Sequence, residues 1–102
     1  MCSNLFFKMG IIFEKRIGEM YMLDAVIVGR AIQKYREKRR LSQEVVSGLA
    51  DIGRTHLSAI ERGVRKPTLD TFFKLAEAMD ILPSELMKLV EEEISLNKNL
   101  NI

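Results

Sequence analysis

The chain has 102 residues, of which 47% are hydrophobic and 29% charged, and carries a formal net charge of +2. That length holds one small domain with a single core and leaves little chain for an elaborate catalytic cleft, while the apolar fraction argues against wholesale disorder. The small net charge hides a split: Lys and Arg outnumber acids ten to five over residues 24–66, whereas acids lead seven to three over residues 67–102, a division expected when one face meets a polyanion.

Residues 1–23 show no clear period or cap, although Phe6, Phe7, Ile11, Ile12 and Phe13 are apolar. This extension is expected to be inessential to DNA binding, as a dimerisation arm, an extra helix or residues ahead of a start at Met20 or Met22. It lacks a basic n-region and a small-residue cleavage site, so no signal peptide is expected. Cys2, the single cysteine, allows neither an intrachain disulfide nor a cysteine-based zinc site. No apolar run approaches the ~18 residues of a membrane span. A reduced, cytoplasmic setting is the expectation.

From Asp24 onward the pattern is helical. Asp24 is a candidate N-cap, Val28, Ile32 and Tyr35 (or Arg36) recur on one face, and Lys38, Arg39 and Arg40 suit a helix C-terminus. Ser42 caps a short second helix whose apolar face is expected to be Val45, Val46 and Leu49. A turn over Ala50–Gly53 leads to a third helix from about Arg54 to Arg62, with Leu57 and Ile60 inward and Gly63 free to take positive φ. Thr68, after Pro67, caps a fourth helix with a wide stripe of Leu69, Phe72, Phe73, Leu75, Ala76 and Met79. Pro83 opens a fifth, with Leu86, Leu89 and Val90 inward, and residues 95–102 form a tail expected to fray. The fold class is therefore all-α, a five-helix domain over residues 24–94 built around a central helix-turn-helix.

Leu41-Ser42-Gln43-Glu44, Arg54-Thr55, Leu57-Ser58, Ile60-Glu61-Arg62-Gly63, Pro67-Thr68-Leu69 and Leu75-Ala76 fall in register with one known pattern. The chain resembles the Cro/repressor-type (Xre) helix-turn-helix family from about Val28 to Val90. The resemblance implies a DNA-binding domain, commonly a homodimer on a two-fold operator. Arg40 and Asp51 stand where the family often has glycine, and Gly53 where it has Ser or Thr.

Arg54, Thr55, Ser58 and Ala59 lie opposite Leu57 and Ile60 on the third helix, the side from which base edges are read. Arg54 can donate twice to guanine, Thr55 can meet a thymine methyl or a phosphate, and the Ala59 methyl can touch thymine. Gln43 opens the second helix, where free N–H groups suit a phosphate; the family resemblance also implies that it buttresses the third helix. Arg65, Lys66, Arg62 and Arg40 are the remaining candidate phosphate contacts. The resemblance further implies that Arg36 and Glu61 pair between the first and third helices. His56, the sole histidine, is expected at the helix edge, with no metal role and no cofactor.

The leading expectation is a sequence-specific transcriptional regulator, a repressor acting as a homodimer on double-stranded DNA, with Leu89, Val90 and Ile94 either at the dimer interface or completing the core. A second reading keeps the domain and makes it an antitoxin or a restriction–modification controller, with a protein partner met through residues 1–23 or the acidic Glu91-Glu92-Glu93-Ile94. A third is a helical interaction module without DNA binding. No nucleophile–base pair, carboxylate dyad or phosphate-cradling glycine loop supports an enzyme.

Overall fold

The starts of the helices follow local capping chemistry. In the computed structural model, which describes residues 23–100 with side chains through Asn97, five helices follow one another: α1 (Ala25–Lys38), α2 (Gln43–Ala50), α3 (Arg54–Glu61), α4 (Leu69–Ala78) and α5 (Pro83–Leu100). The expectations for residues 1–22 lie outside the described residues. Asp24 accepts from the Val26 N–H at 2.8 Å, Ser42 from Val45 at 3.0 Å and Thr68 from Thr71 at 3.1 Å, each satisfying an orphan donor of the first turn. Gly53 caps α3 with no side-chain bond.

The first four helices also share one way of stopping. Each places a residue in the left-handed region, Arg40, Asp51 and Asp80 at φ 58 and Gly63 at φ 79. The next N–H then reaches back to a carbonyl five residues earlier: Leu41 to Arg36, Ile52 to Ser47, Val64 to Ala59 and Ile81 to Ala76. This is the Schellman arrangement, and the residue after the left-handed one is apolar each time. Leu41, Ile52 and Ile81 pack against the core, whereas Val64 stays exposed.

The core draws on all five helices: Val28, Ala31 and Ile32 of α1, Val46 and Ala50 of α2, Leu57 and Ile60 of α3, Phe72, Leu75 and Ala76 of α4 with Met79 just after it, and Leu86 and Val90 of α5. Two sequence expectations are corrected here and one open alternative is resolved. The inward face of α2 is Val46, Ser47 and Ala50, while Val45 and Leu49 are 48% and 66% exposed; two adjacent valines leave the face of a two-turn helix undetermined until α4 packs on it. Leu69 and Phe73, expected within the α4 stripe, are 70% and 52% exposed at its edge. Val90 is core, with Leu89 and Ile94 packed partly against it, so this face of α5 completes the domain. Residues 95–100 continue α5.

Glu93, expected on an acidic partner-binding tail, is instead buried and accepts from Lys34 at 2.9 Å, with Arg30 at 3.7 Å. The acid thus ties α5 to α1, and a buried carboxylate so placed is paired, as its desolvation requires.

Candidate nucleic-acid interface

At about 100° per residue, Thr55, Ser58, Ala59 and Arg62 fall opposite the buried Leu57, Ile60 and Glu61 of α3. Arg54 and Thr55 are exposed at the start of the helix, Ser58 and Ala59 half-buried behind them, and Arg62 exposed at its end. The Arg62 Nε lies 3.4 Å from the Ser58 Oγ, to which it donates. Arg65 and Lys66 are exposed in the following loop. That loop is held against α3 because the Ala59 carbonyl accepts from Val64 at 2.9 Å and from Arg65 at 3.3 Å. His56 is half-buried at the helix edge.

The back of α3 is fixed by a buried ion pair. The Arg36 guanidinium donates through Nε to Glu61 Oε2 at 2.6 Å and through Nη2 to Glu61 Oε1 at 3.0 Å, a two-pronged match of planar groups. Its remaining Nη1 donates to the Leu41 carbonyl at 2.8 Å. The hydrogen bond to Glu61 raises the Arg36 pKa despite the opposing effect of burial. A raised pKa places any loss of this contribution at still higher pH, so the guanidinium stays charged throughout the ordinary range.

Gln43 joins this pair to the exposed end of α3. Its Nε2 donates to Glu61 Oε1 at 2.8 Å, and its Oε1 accepts from Arg54 Nη1 at 3.3 Å. In the sequence Gln43 and the Arg36–Glu61 pair stand as separate features. In the fold they form one chain of contacts, running from the Leu41 carbonyl through Arg36, Glu61 and Gln43 to Arg54. Spacing alone does not reveal it, since Gln43 and Glu61 are 18 residues apart.

Close approach of α1 and α3 sets the elevation of this face. Gly29 of α1 is buried, and a Cβ there would run into the Ile60 and Glu61 carbonyl oxygens of α3. Among the described residues no group of three or more His, Cys, Asp or Glu side chains is arranged to hold a metal ion. No helix among them is long and apolar enough to cross a membrane.

The helix-turn-helix family model matches residues 32–86. The chain is 33% identical over 66 residues to a protein of Sinorhizobium fredii named as an uncharacterized HTH-type transcriptional regulator, y4dJ, across 65% of this chain and 86% of that one. It is 38% identical over 66 residues to control protein C.MunI of Mycoplasma sp, across 64% and 89%. Among solved structures, the restriction-modification controller protein C.AhdI from Aeromonas hydrophila superposes with a TM-score of 0.60 at 37% identity, over 64% of this chain and 98% of that one. The clp gene regulator ClgR from Corynebacterium glutamicum shares the fold, with a TM-score of 0.73 at 14% identity over 78% and 85%. With its family match reaching from Ile32 in α1 to Leu86 in α5, more than half of its length, the chain belongs to the helix-turn-helix family of the Cro/repressor type.

Proposed function

We propose that this protein is a sequence-specific DNA-binding transcriptional regulator that lays α3 in the major groove. The observation that carries the reading is the exposure of Arg54 and Thr55 on a helix whose back, Leu57, Ile60 and Glu61, is buried. Arg54, Thr55, Ser58 and Ala59 read base edges. Gln43, Arg40, Arg62, Arg65 and Lys66 hold the phosphates on either side, supplying affinity and its salt dependence. Gln43 supports Arg54 through its side chain and keeps its backbone N–H, at the start of α2, for a phosphate.

Binding-site selection with the purified protein, followed by Arg54→Ala on the selected operator, tests this. The substitution is expected to cost about 1–3 kcal/mol, roughly 5- to 150-fold, and to relax preference at one base pair of each half-site. A variant that binds and discriminates like the native chain refutes the assignment of Arg54.

One helix reads few base pairs, so the protein is read as a homodimer on two half-sites. With Val90 committed to the core, the dimer surface is assigned to the corner of α4 and α5, where Phe73 and Leu82 are 52% and 62% exposed. Phe73 and Leu82 line one shallow cleft with Ile81 and Pro83, rimmed by Lys74 among Asp70, Glu77, Asp80 and Glu85. Phe73→Glu is expected to weaken self-association by about tenfold or more while leaving the melting temperature of the monomer near native, as judged by light scattering and thermal melts. Retention of a native dimer rules this surface out.

A controller of a restriction–modification operon is the narrower role, favoured over the antitoxin by the likeness to C.MunI and C.AhdI. It requires the selected operator to lie upstream of a gene for a restriction endonuclease or for this protein.

A further inference from the structure

The four matching helix stops differ in one respect. Gly63, Asp51 and Asp80 are residue types that enter the left-handed region readily, but the stop after α1 carries Arg40 at φ 58. A long side chain with a Cβ gains no local hydrogen bond there and is disfavoured.

The conformation is imposed by the surroundings. The Arg40 N–H donates to Glu37 at 2.9 Å and that of Leu41 to Arg36 at 3.1 Å. The Leu41 carbonyl also accepts from the Arg36 side chain, and Leu41 packs against the core. The fold makes no internal use of the guanidinium. Arg36 donates to Glu61 and Arg39 to Tyr35 and to the Met79 carbonyl, yet Arg40 is exposed and has no ion pair or side-chain hydrogen bond among the described residues. Its place in the chain is informative: Ser42, the cap of α2, lies two residues on, followed by Gln43, which touches Arg54.

We propose that Arg40 is retained for DNA affinity at the expense of stability: its guanidinium neutralises a backbone phosphate beside the start of α2, and this contact keeps an arginine where the fold alone favours glycine. The inference rests on the DNA-binding reading above. Its test compares the full native chain with Arg40→Gly and Arg40→Lys on a mixed-sequence duplex, by fluorescence anisotropy between about 50 and 200 mM salt, alongside thermal melts.

Arg40→Gly is expected to melt about 2–5 °C higher. Its plot of log affinity against log salt is expected to be shallower by about 0.9 per engaged protomer, so between 200 and 50 mM salt its deficit grows about threefold for each protomer engaged. Arg40→Lys keeps the charge and the strained backbone, and is expected to match the native chain in both measurements. A native slope for Arg40→Gly overturns the phosphate contact, and a melting temperature at or below native overturns the strain. If the native chain itself shows no salt-dependent binding, the DNA-binding reading falls and the inference with it. A structural role at the α1 terminus would change melting without changing the slope.

Discussion

Glu61→Ala is expected to lower the stability of the domain by about 3–5 kcal/mol, because it leaves the Arg36 guanidinium buried without its counter-charge. Arg36 and Glu61 are only 9% and 6% exposed, so water does not replace the lost partner. The loss is a large part of the 5–15 kcal/mol or so that holds a typical domain together. Substituting both partners with apolar residues, Arg36→Met with Glu61→Leu, is expected to recover most of the stability, since attraction within a buried pair is largely offset by desolvation. DNA binding is expected to stay impaired in the double variant: Gln43 loses the Glu61 oxygen that holds it, and Arg54 loses the support of Gln43. Urea melts followed by circular dichroism measure the first effect, and operator titrations the second. A Glu61→Ala variant that unfolds at the native urea midpoint refutes the role assigned to the pair.

Gly29→Ala is the second substitution with a large expected effect, and its sign opposes helix propensity. Glycine to alanine inside a helix ordinarily stabilises by about 0.5–1 kcal/mol. At Gly29 the new methyl meets the Ile60 and Glu61 carbonyl oxygens, which belong to the backbone and cannot rotate aside. Helix α3 must shift away from α1, at an expected cost of about 3 kcal/mol, the upper end of ordinary overpacking. That corresponds to a fall of roughly 12–24 °C in melting temperature for a domain of this size. Gly48→Ala provides the contrast within the same chain. A Cβ there meets nothing within 4 Å, so the ordinary gain of about 0.5–1 kcal/mol is expected. If Gly29→Ala melts at or above the native temperature, the close approach of α1 and α3 does not set the position of α3.

The start signals of α1, α2 and α4 were legible because capping is local: Asp24, Ser42 and Thr68 act on N–H groups two or three residues away. The outward face of α3 was legible for the same reason, since Leu57 and Ile60 define its back through helical periodicity alone. The left-handed stop at Asp80 went unread, although its pattern, a short polar residue before Ile81, repeats that of Asp51 before Ile52.

Other features depended on elements distant in sequence. Whether Val45 or Val46 turns inward is decided by α4, because an eight-residue helix is too short for its periodicity to choose between adjacent valines. Glu93 reads as one of three solvated acids until α1 brings Lys34 and Arg30 to it. The amino-acid sequence by itself determined where the helices start and which side chains of α3 are exposed, through interactions spanning a turn or two. Only the tertiary structure decided which apolar residues are left over as surface and how Arg36, Glu61, Gln43 and Arg54 join. Those outcomes depend on which helices meet, and Gly29 lets the backbone of α3 come close enough for α1 to brace it from behind.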